Sequence, residues 1–397
     1  PLTSHGTNLF IDRVDVLPFF NPAEGAVEIG AGSQVLVPVW LTVCPLVGEL
    51  WQAFAFYLDL ACAVPVASCS AGLFLTLKAM DVGPGDEVVL PSMTFISTLT
   101  AVIHCGAKPV LADIDPDNFG LDPAAFAKVI TPRTKAVIPV HLAGHPCRIE
   151  EIISIAAAHG IRVMEDAAHS FGAAVNGRRI GGFGDATVFS FYATKCITTG
   201  DGGLVTTSDQ DLADKLQLLS FHGMDGNAWQ RYGDKGRWYY EVVALGYKFH
   251  LGDPAAALGL VQLGRSDAFM ARRTEVAHRF NEAFADLPGV FLPRTASWAT
   301  HAWHLYVLRV DPAAISGGRD GVIADLTANR IGSSVHFIPL HHHPAFRDEG
   351  ATFAPQLPET EKYFREAVSL PLFPAMTDAD VDDVIEVVTR SVTGRAR

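Results

Sequence analysis

Short apolar runs alternate with longer amphipathic stretches from about residue 66 onward. The apolar runs favour strands at Glu87–Leu90, Pro109–Asp113, Ala136–His141, Arg162–Glu165, Thr187–Tyr192 and Gly203–Thr207. The stretches between them favour helices, as at Leu73–Met80, Pro123–Val129, Ile149–His159 and Asp211–Leu219. Strands that are apolar on both faces and alternate with helices are typical of a covered parallel sheet. The pattern therefore predicts an α/β domain.

The pattern changes near Asp267, where a long charged stretch predicts a helix. Two apolar runs follow it, His304–Val310 and Ser333–Phe337, and both predict strands. We therefore expect a large domain over residues 1–265 and a smaller C-terminal α/β domain over residues 266–397. The length of 397 residues suits two domains of ordinary size.

Composition excludes several classes of protein. Apolar residues make up 49% of the chain and charged residues 18%, which is typical of a globular protein. The net charge of −13 disfavours binding to nucleic acid or to anionic lipid. A phosphate group is still allowed, because backbone N–H groups and a few basic side chains bind one locally.

The location of the protein is predicted from its cysteines and its most apolar segment. The six cysteines form no C-x-x-C pair and have apolar neighbours, so free thiols in a reducing compartment are expected. The segment Val35–Val64 is interrupted by Glu49, Gln52 and Asp59, so it does not predict a membrane span. It also lacks the basic start and the position of a signal peptide. We expect a cytoplasmic protein.

Two segments of the large domain end in groups that suit a phosphorylated ligand. Ser68-Cys69-Ser70-Ala71-Gly72 is a turn of small residues before a helix. It predicts either backbone N–H groups that contact a phosphate or an ordinary helix cap. The strand at Val163-Met164 ends in Glu165 and Asp166. A carboxylate there either stays in solvent or keeps the ring nitrogen of pyridoxal phosphate protonated.

A lysine and an aromatic residue follow two other predicted strands. Lys195 ends the run Ser190–Lys195, and Gly200-Asp201-Gly202-Gly203 comes soon after it. A lysine in a buried site beside a cationic ring loses its proton more readily and forms a Schiff base, whereas a lone lysine is usually solvated. Phe95 is either a core residue or a ring that stacks on a cofactor.

Together these segments resemble the DegT/StrS-type sugar aminotransferases, within the fold-type-I pyridoxal-phosphate enzymes. The likeness extends from Leu17-Pro18-Phe19 to Leu370-Pro371-Leu372-Phe373-Pro374, and includes Gly83-Pro84-Gly85-Asp86-Glu87-Val88, Thr131-Pro132-Arg133-Thr134-Lys135-Ala136, Glu165-Asp166-Ala167-Ala168-His169 and Gly202-Gly203. The segments most like the branch that makes UDP-4-amino-4-deoxy-L-arabinose are Phe221-His222-Gly223, Gly246-Tyr247-Lys248 and His301-Ala302-Trp303-His304-Leu305. The resemblance implies an aspartate aminotransferase-like α/β fold, with a mostly parallel sheet in the large domain and a smaller C-terminal α/β domain.

The resemblance also implies roles for individual residues. Lys195 holds pyridoxal 5'-phosphate and moves the proton, and Asp166 pairs with the ring nitrogen. The other implied contacts are His169 at the phenolic oxygen, Ser190 with the backbone of Ser70 and Ala71 at the phosphate, Phe95 on the ring, and His336 at the substrate. The family works as a homodimer with shared active sites. Lys248 stands where many members have an asparagine that reaches the phosphate in the partner subunit, and the arabinose branch also has lysine there.

The expected reaction moves an amino group from L-glutamate to a nucleotide-linked 4-keto sugar. Arg231, Lys235, Arg237 and Lys248 form a basic stretch in an acidic protein, which either binds the sugar diphosphate or is an ordinary solvated face. A 3-keto sugar, a cyclitol ketone or a non-catalytic regulatory role are the alternatives. Lys195 argues against a sugar dehydratase of the same family. An NAD enzyme is disfavoured because Gly30-Ala31-Gly32 lacks the third glycine of the fingerprint.

Several positions depart from what the resemblance implies. Val43-Cys44 stands near the sugar-binding loop in place of Thr-Gly, and Cys69 stands in the phosphate turn. Both leave the sugar undetermined. The triplet His341-His342-His343 predicts a loop beside the active site and not a metal site, because neighbours on a strand point opposite ways and no carboxylate lies nearby in the sequence.

Overall fold

The computed structural model describes residues 45–224, 239–347, 352–353 and 357–397. Its strands are β1 (Cys62–Val66), β2 (Glu87–Pro91), β3 (Lys108–Ala112), β4 (Thr134–Val137), β5 (Arg162–Asp166), β6 (Ala174–Val175), β7 (Arg178–Arg179), β8 (Ala186–Ser190), β9 (Gly203–Thr207), β10 (Val290–Phe291), β11 (Ala299–Thr300), β12 (Tyr306–Val310), β13 (Thr352–Phe353) and β14 (Ala367–Leu370).

The α-helices in the same ranges are α1 (Pro45–Leu58), α2 (Cys69–Ala79), α3 (Ile96–His104), α4 (Pro123–Val129), α5 (Ile149–His159), α6 (Gln210–Ser220), α7 (Asp253–Gly264), α8 (Ser266–Phe284), α9 (Gly318–Ala328), α10 (Pro344–Arg347), α11 (Pro358–Glu366) and α12 (Asp378–Arg395). The same ranges contain two short 3₁₀ turns. Leu142–Gly144 lies between β4 and α5, and Leu340–His342 lies between α9 and α10.

The main sheet of the described residues has eight strands in the order β1-β9-β8-β5-β4-β2-β3-β13. Strands β13, β3, β2, β4, β5 and β8 pair in parallel, and β9 pairs antiparallel with both β8 and β1. The sheet is therefore mostly parallel, as predicted. Buried apolar side chains cover both of its faces, and they include Leu50 and Phe54 of α1 on one face and Leu73 and Leu75 of α2 on the other.

The C-terminal region contains a small antiparallel sheet in the order β10-β12-β14. Helices α8, α9 and α12 pack on it through buried residues such as Phe280, Val322 and Val388. The charged helix predicted near Asp267 is confirmed as α8. The division of the chain at residues 265 and 266 stays a prediction.

Two predicted strands differ from the structure. Ser333–Phe337 is not a strand, because Ser334 makes only an isolated bridge to Ser369 while β14 pairs with β12 in the small sheet. The strand predicted over Ala136–His141 ends at Val137. Pro139 has no N–H to donate to a neighbouring strand, so regular pairing stops before it.

Two further observations concern the thiols and membrane spans. The described cysteines are free and buried, as predicted, at Cys62, Cys69, Cys105, Cys147 and Cys196. Within the described residues, none of the helices combines the length and the apolar character that a membrane span requires.

Candidate active site

The carboxyl ends of β2, β5 and β8 lie at one edge of the main sheet, because these strands run parallel. A cavity of about 400 Å³ opens there. Most of the predicted site residues line it, namely Ser70, Phe95, Asp166, His169, Ser190, Lys195 and His336. The tertiary structure thus brings together groups that are up to 266 positions apart in the numbered chain.

Asp166 is held in one orientation by donors on both sides of its carboxylate. Thr98 of α3 donates its hydroxyl hydrogen to Oδ2 at 2.7 Å, and the Ala168 N–H donates to Oδ1 at 3.1 Å. Burial raises the pKa of Asp166, while the Thr98 hydroxyl, the Ala168 N–H and Lys195 oppose that rise. Because the side chain is buried, a cationic ligand would stabilise its charged form strongly.

Lys195 lies in the loop after β8, where its backbone N–H donates to the Tyr192 carbonyl at 3.0 Å. Burial lowers the pKa of Lys195, and the nearby Cys69 and Asp166 oppose that change. A lowered pKa increases the fraction of neutral amine at neutral pH. Neutral amine is the form that attacks a carbonyl carbon or accepts a proton.

The turn at Ser68–Gly72 is both a helix cap and one wall of the cavity. Ser68 caps α2, and its Oγ accepts a hydrogen bond from the Ala71 N–H at 3.1 Å. The helix cap, one of the two alternatives that the sequence allowed for this turn, is thus present. The Ala71 N–H therefore already has a partner. Ser68, Cys69 and Ser70 all face the cavity.

Gly203 lets this turn approach the sheet closely. A Cβ at this position would lie 2.8 Å from the Cys69 nitrogen and 2.8 Å from the Ser68 carbonyl carbon. Both of these atoms belong to the backbone, so neither can rotate away. The glycine therefore fixes where the first turn of α2 sits against β9, and so where its N–H groups point.

Three histidines surround the lysine end of the cavity. The rings of His169 and His304 lie 4.4 Å apart, and Nδ1 of His169 accepts a hydrogen bond from the Ala143 N–H. His336 shares a 2.8 Å hydrogen bond between its Nδ1 and Ser369 Oγ. Burial, followed by repulsion from Lys195, lowers the pKa of each ring, to about 4 for His336. All three are neutral near pH 7.

The remaining predicted residues are not brought into this cavity. Lys248 is exposed, with its Nζ 4.3 Å from the Phe221 ring centre and 3.3 Å from His250 Nε2. Arg231, Lys235, Arg237, the Gly30-Ala31-Gly32 turn and Val43-Cys44 lie outside the described residues. Their predicted roles are not tested by the structure.

Sequence reasoning gave no role to Thr94, Thr98 or His304, although all three contribute to the site. The Thr94 and Thr98 hydroxyls lie 2.9 Å apart and continue the hydrogen-bond chain to Asp166. Two hydroxyls four positions apart at the start of an apolar helix are a signal that could have been noticed. His304 lines the cavity, and its buried Nδ1 has no hydrogen-bond partner within the described residues.

The cavity fits pyridoxal phosphate. Three groups that suit the cofactor meet in it. Asp166 is a buried carboxylate suited to a ring nitrogen, Lys195 is an amine with a lowered pKa, and the N-terminus of α2 is made of small residues suited to a phosphate. The unpaired Nδ1 of His304 adds a polar group that is still available to a ligand. Fold and site together define a pyridoxal-phosphate-dependent aminotransferase.

Comparison with known proteins agrees with this class. The DegT/DnrJ/EryC1/StrS aminotransferase family matches residues 22–389. The chain therefore belongs to this family of sugar aminotransferases, and it is a pyridoxal-phosphate-dependent enzyme, as the sequence predicts.

Individual relatives match over most of their length. The spore coat polysaccharide biosynthesis protein SpsC of Bacillus subtilis is 46% identical over 383 residues, which are 96% of this chain and 98% of SpsC. Spr1654 of Streptococcus pneumoniae, solved in a PMP form, has a TM-score of 0.83 at 31% identity, covering 90% of this chain and 94% of that one. DesI, solved in the presence of its TDP-sugar product, has a TM-score of 0.79 at 36% identity, covering 88% and 86%.

Proposed function

We propose that this aminotransferase moves an amino group from L-glutamate to a nucleotide-linked sugar with a keto group at position 4. The observation that carries the proposal is the meeting of Asp166, Lys195 and the α2 N-terminus in one cavity. We further propose that the enzyme works in the cytoplasm as a homodimer with shared active sites.

Lys195 and Asp166 have complementary tasks in this proposal. Bound pyridoxal phosphate supplies an electron sink for the carbon that loses and regains a proton. Lys195 would anchor the cofactor, and in each half reaction its Nζ would carry one proton between the substrate carbon and the cofactor. Asp166 stays ionised beside the ring nitrogen, and Thr98 and the Ala168 N–H hold its two oxygens in place.

Other residues hold the cofactor in the proposed site. Ser190 Oγ and the backbone at Ser70 bind the phosphate, with the Ala71 N–H shared between it and Ser68. Phe95 is 53% exposed and faces the cavity, which leaves its ring accessible for stacking. His169 is neutral, and because its Nδ1 accepts from the Ala143 N–H, its Nε2 carries the hydrogen that it donates to the phenolic oxygen.

The substrate assignment is supported by a relative and by the polar lining of the site. DesI, at 36% identity, was solved with a TDP-sugar product. His336 faces the cavity and suits a sugar hydroxyl. Arg231 and Lys248 are proposed to bind the diphosphate, with Lys248 reaching the site of the partner subunit. The preference for position 4 rests on the sequence resemblance to the arabinose branch.

A transamination assay tests the proposal. Purified enzyme is given L-glutamate with a panel of 4-keto and 3-keto nucleotide sugars and a cyclitol ketone, and release of 2-oxoglutarate is measured. Turnover that requires a 4-keto nucleotide sugar supports the proposal. Turnover with only a 3-keto sugar or a cyclitol ketone contradicts the substrate. Full cofactor binding without any turnover, even of the glutamate half reaction, would favour a regulatory role instead.

A further inference from the structure

Two neighbouring histidines share one carboxylate about twenty positions away in the chain. Nε2 of His341 and Nε2 of His342 each lie 2.7 Å from the same atom, Oε1 of Glu361. The three possible ligand atoms all lie within 4.8 Å of one another. Within the described residues, this is the cluster whose side chains could together hold a metal ion.

The local backbone explains why adjacent histidines meet. Leu340–His342 is a 3₁₀ turn and not a strand. Successive side chains of a 3₁₀ turn are about 120° apart, instead of pointing to opposite faces as in a strand. The two rings therefore lie edge to face with centroids 4.5 Å apart. The sequence-based argument against a metal considered a strand and carboxylates nearby in the sequence, whereas here the backbone is a 3₁₀ turn and Glu361 of α11, from farther along the chain, lies against the pair.

The outer nitrogen of His341 is fixed as well. Its Nδ1 lies 2.7 Å from Ser92 Oγ, and the Leu340 N–H donates to the Ser92 carbonyl at 2.9 Å. Histidines that bind metals almost always have their second nitrogen held by such a partner. With Nε2 on a metal ion, a neutral His341 ring would carry its hydrogen on Nδ1 and donate it to Ser92 Oγ.

The charge and the exposure of the cluster also suit a cation. Glu361 places a carboxylate oxygen between the two imidazoles, at 2.7 Å from each Nε2. The side chains are 18%, 34% and 33% exposed for His341, His342 and Glu361, so a hydrated ion has access. Two imidazoles and one carboxylate are a ligand set that zinc sites use, with water in the fourth position.

We propose that His341, His342 and Glu361 bind a divalent transition-metal ion of the zinc class. The carboxylate oxygen now lies where the two Nε2 atoms converge, and the ion takes that place after a small rotation of Glu361. Such an ion would fasten the Leu340–His342 turn to α11. The site is separate from Lys195 and Asp166, so it carries no step of the transamination.

The experiment uses pyridoxal-phosphate-loaded enzyme from which any affinity tag has been cleaved. Zn²⁺ is titrated by calorimetry, and Co²⁺ is followed by its visible absorption. We expect one ion per chain and a cobalt spectrum without an intense thiolate band. Zinc should also raise the melting temperature, because an ion that binds only the folded state stabilises it.

Substitutions of single residues identify which side chains bind the metal ion. Glu361→Gln and His342→Asn should abolish the stoichiometric cobalt signal, and Ser92→Ala should weaken affinity by about 10- to 100-fold. His343→Asn is the matched control, because His343 adjoins the cluster but does not contribute a ligand to it. It should bind the ion as the wild type does. The cofactor absorption of each variant shows whether it is folded.

Three results would overturn the proposal. These are no stoichiometric binding of Zn²⁺ at micromolar concentrations, unchanged binding in Glu361→Gln, or a thiolate band that places the ion on a cysteine. Failure of the transaminase assay leaves this test unaffected, since its readouts do not depend on turnover.

Discussion

At the scale of single residues, the chemistry of this site depends on how burial changes charge. Burial alone raises the pKa of Asp166 and lowers the pKa of Lys195. Each change favours the neutral form of the group. The attraction between Asp166 and Lys195 partly opposes both changes, because each charge stabilises the other. The hydroxyl of Thr98 is the uncharged contact that favours the ionised carboxylate most.

Lys195 should be the cofactor lysine. Borohydride reduction of the purified enzyme should fix pyridoxal phosphate on the peptide that contains Lys195, because reduction makes the link to its Nζ permanent. Peptide mass spectrometry is the measurement. Lys195→Ala should lose turnover and keep its fold. A label on Lys248 or another lysine would contradict the assignment.

Thr98 should act as a positioning residue for Asp166. Thr98→Val keeps the shape of a fully buried side chain and removes the 2.7 Å hydrogen bond. A hydrogen bond to a charged group is worth about 1.5–3 kcal/mol, so kcat should fall about tenfold or more. The acid limb of the kcat profile should also move to higher pH, since Asp166 loses a contact that lowers its pKa.

Two matched variants separate positioning from general damage. Thr98→Ser restores a hydroxyl and should recover most of the activity. Thr100→Val alters the same helix, where the Thr100 hydroxyl donates to the Ser97 carbonyl, and it should leave the profile unchanged. Equal losses in Thr98→Val and Thr98→Ser would rule out the hydrogen bond as the cause.

At the scale of elements, the N-terminus of α2 is set by how closely it packs on β9. Ser68 caps the helix, and Gly203 lies opposite the Ser68–Cys69 peptide. A side chain on β9 would push the first turn away from the sheet. The proposed phosphate end of the site thus depends on a glycine in a neighbouring strand as well as on the turn itself.

Gly203→Ala should weaken cofactor binding. The added Cβ meets backbone atoms at 2.8 Å, and such overpacking costs about 1–3 kcal/mol. Titration with pyridoxal phosphate should show at least tenfold weaker affinity, together with a lower melting temperature. Gly83→Ala is the control, because a Cβ there meets nothing within 4 Å. Wild-type affinity in Gly203→Ala would show that the turn tolerates the shift.

At the scale of the whole molecule, many histidines are buried in neutral form. Burial lowers the pKa of His169, His301 and His304 well below the ordinary value, and that of His336 to about 4. An unfolded chain protonates these rings as the pH falls through about 6.5, whereas the folded protein does not. The unfolded state then binds more protons, so stability is lost as the pH drops below that value.

His301→Asn should reduce this pH dependence. His301 is 6% exposed and stacks on Trp303, and Asn can still accept the hydrogen bond from the Trp303 N–H. As the pH falls below 6.5, the slope of the unfolding free energy against pH should become smaller than in the wild type by up to about 1.4 kcal/mol per pH unit, which corresponds to one proton. Urea unfolding measures it. His159→Asn, at an exposed position, should keep the wild-type slope.

The proposed homodimer makes a separate prediction at this scale. Lys248 is exposed in the single chain and does not line its own cavity. If it completes the partner's site, Lys195→Ala and Lys248→Ala should each be inactive alone. Mixed dimers would then hold one site with both residues intact, so mixing should restore part of the activity. A fully active monomer in sedimentation would contradict the shared site.

The sequence by itself determined the features that repeat locally. The alternation of apolar runs and helices gave the mostly parallel sheet, and the strand-end motifs gave Asp166 and Lys195, because parallel strands present their carboxyl ends at one edge. The turn before α2 was recognisable from its run of small residues. Each of these signals lies within a few neighbouring positions of the chain.

Tertiary structure alone decided the contacts between distant segments. The bond from Thr98 to Asp166 spans 68 positions, and neither residue type predicts the other. The small sheet placed β14 beside β12, where the pattern had predicted Ser333–Phe337 as a strand. Glu361 reached His341 and His342 only because α11 packs against a 3₁₀ turn. Periodicity reports which face of an element is buried, whereas the partner it meets there depends on how the whole chain packs.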